Sequence, residues 1–263
     1  MNGSSLPRAH RLTDYKPVLA AAGTLDTQAI LVGGQAVYFW ASRYSDRFPA
    51  LETFLPYTSQ DADYLADVPT AQRLASQLQS RFHPAPTKGG MLGLSLGDIP
   101  LEGEMKVEIL GRINGVKSDD VRAAALVIGW QDLEVCVIHP AQLYVGKGCN
   151  LLGIDQTERQ DSQHFGIMQW VMRGFLADLA QTAMQEDPRP FLDCCEHLMR
   201  FAASREGIKL IDLGHMSATG LWPGLEDHLN AKVRRFAAER VPRWEQQIAT
   251  LLEKRRIQRP MAQ

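Results

Sequence analysis

The chain has 263 residues, 45% of them hydrophobic and 22% charged, and a formal net charge of −2. That length carries one large domain or two modest ones with a sizeable buried core, and that composition excludes a disordered, collagen-like or coiled-coil chain. The longest apolar run, Ala123 to Trp130, falls far short of the roughly 20 residues a membrane-spanning helix needs. The first residues, Met1-Asn-Gly-Ser-Ser-Leu-Pro-Arg, lack a secretory core, so a cytoplasmic location and no membrane partner are expected.

Charge is uneven along the chain. Residues 1–199 hold 16 basic and 23 acidic side chains (−7), whereas 200–263 hold 12 and 7 (+5). Such a basic end suits either RNA phosphates or a solvated helix face with paired charges. The four cysteines, Cys136, Cys149, Cys194 and Cys195, show no C-x-x-C spacing, so reduced thiols are expected.

In chain order, Ala29-Ile-Leu-Val reads as a buried strand stopped by Gly33-Gly34, and Gln35 to Tyr44 follows at helical spacing. Residues 45–58, with two prolines, read as a long loop. Asp61-Ala-Asp-Tyr-Leu alternates as a half-buried strand does. A helix is predicted from about Pro69 to Phe82, with Asp67 or Thr70 as cap. Strand-like runs follow at Met91–Leu96, Met105–Leu110, Leu126–Ile128 and Leu133–Ile138. Beyond His139-Pro140 only helical patterns remain, at about 141–152, 157–185, 189–205 and 224–257. The pattern predicts an α/β domain over 1–138 and a helical domain over 139–263.

Two features on the α/β half carry chemistry together. A Gly-Gly turn ahead of a helix offers unhindered backbone N–H groups and the positive end of the helix dipole, which favour a phosphate chain. Asp61 and Asp63, at i and i+2 of a strand, point to one face and can share metal ions of the hard, oxygen-loving kind, such as Mg²⁺. Glu108, polar within an otherwise apolar strand and on the same face as Lys106, is the best third carboxylate for a two-metal site. Glu104 shares that parity but lies nearer the loop. The G-x-G-x-x-G spacing of a dinucleotide turn is missing.

Val32-Gly33-Gly34, Asp61-Ala62-Asp63 and Glu108 resemble the signature of the DNA polymerase beta superfamily of nucleotidyltransferases. That signature is a hydrophobic residue with Gly-Gly or Gly-Ser, then an Asp-x-Asp or Asp-x-Glu strand, then a later acid. Leu31-Val-Gly-Gly-Gln-Ala-Val and Thr58-Ser-Gln-Asp-Ala-Asp-Tyr are most similar to the bacterial branch that contains the AbiEii-type toxins. Lys147, Arg159 and Asp161 fit a Lys, Arg, Asp order found there. The chain departs from the pattern in its 27-position gap from Gly34 to Asp61 and in having Glu as the third acid.

The resemblance, covering about residues 29–165, implies a small mixed-sheet α/β (α+β) nucleotidyltransferase domain followed by an all-helical one. It implies that Asp61, Asp63 and Glu108 hold two Mg²⁺ ions, and that Gly33, Gly34, Gln35, Thr58 and Lys147 hold an NTP. The activity implied is transfer of an NMP to a hydroxyl of RNA, protein or a small molecule, with tRNA or protein as acceptor and an antitoxin as partner. The alternative is a catalytically inactive nucleotide-binding or partner-binding protein on the same fold. Convergence of Asp61, Asp63 and Glu108 on one point favours the enzyme; splayed or arginine-paired carboxylates favour the alternative.

Overall fold

Ile30, Leu31 and Val32 are all fully buried and form β1 (Ile30–Val32) in the interior of a seven-stranded sheet, which is why the run is apolar without alternation. The computed structural model describes residues 9–25, 28–86, 94–156, 159–217, 225 and 228–258, and statements below concern these. The chain divides into two compact units, Met1–Gly146 and Lys147–Gln263.

The first unit continues with β2 (Ala62–Leu65), β3 (His83–Pro84), β4 (Ser95–Pro100), β5 (Lys106–Leu110), β6 (Leu126–Trp130) and β7 (Leu133–Val137), in the spatial order β3-β4-β5-β2-β1-β7-β6. The sheet is mixed: β1 runs parallel to β7 and β2 parallel to β5, and the other neighbours are antiparallel. One register line decides the chemistry. Val32 lies opposite Asp63, Asp63 opposite Glu108, and Glu108 opposite Asp98. Residues opposite one another share a face, so this line sets the acidic side chains side by side.

Helices α1 (Lys16–Gly23), α2 (Gly33–Tyr44), α3 (Val68–Gln77) and α4 (Ser118–Ala124) accompany the sheet, and α5 (Pro140–Gly153) follows β7. Ala36, Val37, Trp40 and Ala41 of α2 are buried, and the Trp40 indole N–H donates to the Ile138 carbonyl at 3.0 Å, tying α2 to the end of β7. His139 accepts the Ala141 N–H on its Nδ1 at 3.2 Å, in the first turn of α5.

Several predicted elements differ from those observed. Residues 45–58 contain a 3₁₀ helix, Pro49–Phe54, which Pro49 starts with its fixed φ. The predicted helix 69–82 ends at Gln77, because Gln79 turns left-handed at φ 53°. Its cap is Asp67, accepting the Thr70 N–H at 2.8 Å. The strand predicted over Met91–Leu96 lies partly outside the described residues, and β4 instead spans Ser95–Pro100. The sequence pattern did not reveal α1, α4 or β3, the first two being only eight and seven residues long.

In the second unit α6 (Asp161–Gln185), α7 (Arg189–Ala202), α8 (Arg205–Asp212), α9 (Ala231–Glu239) and α10 (Val241–Gln258) succeed one another. Phe191, Cys194, Cys195, Leu198 and Phe201 form the buried stripe of α7, spaced as a helix requires. The helix predicted over 189–205 stops at Ala202, since Ser204 caps α8 by accepting the Gly207 N–H at 3.1 Å. Gly207 permits that corner: a Cβ there would lie 2.0 Å from the Phe201 carbonyl oxygen. The 224–257 pattern, of which 224, 226 and 227 lie outside the described residues, resolves into α9 and α10. Four arginines of the basic end are engaged within this unit. Arg234 binds the His228 and Leu229 carbonyls, and Arg235, Arg240 and Arg255 pair with Glu239, Glu196 and Asp212. All four cysteines are free and buried. No helix among the described residues is long and apolar enough to cross a membrane.

Candidate metal and nucleotide site

Asp61 precedes β2, Asp63 sits within it, and Glu108 lies on the adjacent parallel strand opposite Asp63. All three are half-buried, and one carboxylate oxygen from each lies within 4.8 Å of the others. The i, i+2 spacing and the register line produce this convergence, with Asp63 and Glu108 on paired strands and Asp61 in the residue just before β2. Three hard oxygen donors thus surround one point, a donor set that fits Mg²⁺ or Mn²⁺.

Like charges so close need compensation. Two carboxylate charges at the 4.8 Å limit repel by roughly 1 kcal/mol in water and by about 3.5 kcal/mol at an effective dielectric near 20. One cation of the chain itself is present: the Lys106 ammonium lies 3.6 Å from Asp61 Oδ2. Burial alone would lower the Lys106 pKa, but Asp61, Glu108 and Asp98 outweigh it and raise the value above that of an ordinary lysine. A divalent cation at this point would offset the carboxylate charge further. Because Lys106 is 45% exposed its field is well screened. Lys106→Met is accordingly expected to tighten Mn²⁺ binding only a few-fold, as read by titration with electron paramagnetic resonance, while Lys106→Arg leaves it unchanged.

Gly33 explains how Asp63 is seated. It is the first residue of α2 and left-handed at φ 64°. A Cβ there would fall 1.6 Å from Asp63 Oδ2 and 2.5 Å from its Cγ. The carboxylate thus lies directly over the Gly33 Cα, at the positive end of a 12-residue helix, where a negative charge is favoured. Gly34 follows, buried, in the same turn.

The other predicted residues go to different surroundings. Gln35 is fully buried, its Nε2 donating to the His10 carbonyl at 3.1 Å and its Oε1 without a partner among the described residues. Thr58 is half-buried in the segment entering β2, one residue before Ser59, which pairs with His10 through two backbone bonds of 2.8 and 2.9 Å. Glu104 is exposed in the turn before β5. Lys147 belongs to the second unit, midway along α5, with its ammonium 3.0 Å from Asp161 Oδ1; Arg159 holds the other oxygen at 2.6 Å. Lys147 and Asp161 thus form a buried ion pair that the more exposed Arg159 joins.

Tyr15 was not foreseen. It is fully buried, its hydroxyl donates to the Gln60 carbonyl at 3.3 Å, and burial, Asp61 and Asp63 all raise its pKa far above that of a free phenol. It therefore stays a neutral donor next to the acidic cluster. The segment His10–Tyr15 reaches the site through the His10–Ser59 bridge, a long-range pairing that leaves no periodic signal in the sequence.

No protein-family model matches the chain, and no curated protein matches it.

Proposed function

We propose that the chain is an Mg²⁺-dependent nucleotidyltransferase that moves an NMP from an NTP to a hydroxyl. The observation that carries this reading is the convergence of Asp61, Asp63 and Glu108 beside a glycine-led helix N-terminus. Bound at these carboxylates, Mg²⁺ would neutralise phosphate charge and activate the attacking oxygen. The chain's own residues do the rest. The first N–H groups of α2, at Gly33 and Gly34, offer donors to the phosphates beside the Asp63 carboxylate, which fills the space over the Gly33 Cα. Glu108 would hold the second metal or accept the proton of the acceptor hydroxyl as that oxygen attacks the α-phosphorus and pyrophosphate leaves. Tyr15, neutral beside Asp61 and Asp63, donates rather than competes for metal. RNA, a protein or a small molecule could supply the hydroxyl, and a toxin-like role with tRNA or protein as acceptor agrees with the branch the sequence resembles.

The second reading, a non-catalytic nucleotide-binding or partner-binding protein, draws on one observation. Lys106 gives the carboxylates a built-in counter-ion, so the cluster persists without metal. The two readings separate when the protein is incubated with Mg²⁺, a cell lysate and NTPs labelled at the α- or γ-phosphate. Transfer from the α position, lost in Asp61→Ala/Asp63→Ala, is the expected result. Transfer from the γ position alone would make the protein a kinase, and no transfer from either would favour the binding module.

A further inference from the structure

A cavity of about 480 Å³ opens in the first unit, walled by the rings of Tyr38, Tyr57 and Trp130 and edged by Arg11, Thr13 and Ser42. Its size falls within the range of sites that take small organic ligands. Tyr38 and Tyr57 stack with centroids 5.2 Å apart and planes 17° from parallel, and the Tyr57 hydroxyl is tied to the Leu51 carbonyl at 2.8 Å. One wall is therefore a fixed aromatic surface. Trp130, the last residue of β6, also lines the cavity, and Asp132 in the turn that follows pairs with Lys16 at the start of α1 at 2.6 Å.

The lining has a definite chemical preference. Among the described residues no carboxylate lines the cavity, and its one charged group is Arg11, whose exposed guanidinium has no partner among them. Aromatic faces with a free guanidinium and no acid suit a flat heteroaromatic ring, which stacks on the first and hydrogen-bonds to the second. The Thr13 hydroxyl can pair with a ring-edge donor or acceptor, and the Ser42 hydroxyl, which donates to the Phe39 carbonyl at 2.8 Å, can accept from a ring-edge donor. An ammonium ligand would meet Arg11 with no anion to offset it.

Three stretches of chain join the cavity to the acidic cluster. Tyr57 is four residues from Asp61, which spans at most about 14 Å. Along α2, Tyr38 lies about 7.5 Å beyond Gly33, the residue under Asp63. Thr13 is two residues before Tyr15, whose phenol feels Asp61 and Asp63. On these paths the Cα atoms of Tyr57, Tyr38 and Thr13 lie within about 14 Å of those of Asp61, Gly33 and Tyr15 respectively.

The geometry points to this cavity as the seat of a nucleobase belonging to the nucleotide handled at Asp61, Asp63 and Glu108, an inference that rests on the nucleotide reading above. The base can come from the NTP donor or from the end of an RNA acceptor, and the two sources are separable. Calorimetric titration of the full chain in Mg²⁺ uses three probes: tripolyphosphate, ATP and a short single-stranded RNA. The variants are Trp130→Ala and Ser42→Trp. The second fills the cavity mouth from an exposed helix position, so it keeps the fold if the first does not.

Both variants are expected to bind tripolyphosphate as the wild type does and to lose about tenfold affinity for one nucleobase probe. Loss for ATP assigns the cavity to the donor's base, and loss for RNA alone to the acceptor's. Unchanged affinity for ATP and RNA in folded variants overturns the inference and leaves the nucleotide reading standing. A wild type that binds none of the three probes overturns both.

Discussion

Gly33→Ala is expected to weaken Mn²⁺ binding by at least about tenfold and to lower stability by about 2–4 kcal/mol. Two effects add. The left-handed backbone at φ 64° disfavours any Cβ, and that Cβ would land 1.6 Å from Asp63 Oδ2. Asp63 cannot retreat with its backbone, because β2 is held on one side by Val32 and on the other by Glu108. The carboxylate must swing instead, away from the point it shares with Asp61 and Glu108. A denaturation curve and a Mn²⁺ titration separate the two effects. Gly33→Ala/Asp63→Gly removes the collision and should regain part of the stability while leaving metal binding as weak as in the single variant. Wild-type metal affinity in Gly33→Ala would show that Asp63's position over Gly33 has no bearing on the donor set.

The acidic cluster was legible because its geometry follows from two short-range rules. Alternation put Asp61 and Asp63 on one face, and the period-two pattern of Lys106-Val-Glu-Ile-Leu put Lys106 and Glu108 on another such face. What no local pattern revealed was which strand lies beside which. Parallel pairing of β2 with β5 brings Asp63 level with Glu108 across more than forty intervening residues. Lys106 shared a face with Glu108 in the sequence, yet its ion pair with Asp61 appears only once that pairing is made.

Tyr15 and His10 were invisible for the same reason. They arrive through a single bridge to Ser59, and a segment of that kind shows neither helical nor strand periodicity. Gln35 illustrates the opposite limit. The resemblance implies that it holds NTP, but a helix turns its third residue well away from its first, and here that direction is filled by the His10 backbone. The same rotation carries Tyr38 and Ser42 round to the aromatic cavity, which sequence reading could not locate because its walls come from four separate stretches of chain.

Asp161→Ala should destabilise the second unit by about 3–5 kcal/mol, because it strands a buried ammonium. The Lys147 side chain is 7% exposed and the Asp161 side chain 1%, whereas Arg159 is 35% exposed and can turn to water. Lys147→Met should therefore be milder, since Asp161 keeps its bond to Arg159, and Lys147→Met/Asp161→Ala should be less damaged than the sum of the two. Acid titration gives an independent reading. Burial alone would raise the Asp161 pKa, but Lys147 and Arg159 outweigh it and bring the value down to about 2. A depressed carboxylate stabilises the fold above its ordinary pKa near 4, and that contribution, about 2 kcal/mol, is lost as pH falls from about 4 to about 2. His164 adds an earlier stage of the same sign. Burial first and then Lys147 hold its pKa well below the usual value, so the unfolded chain gains a proton that the folded chain refuses once pH drops below about 6.5. Urea unfolding at a series of pH values should show both stages in the wild type, and Asp161→Asn should retain the first while losing the second. An Asp161→Asn protein as stable as wild type near pH 7 would mean that the ion cluster does not hold this unit together.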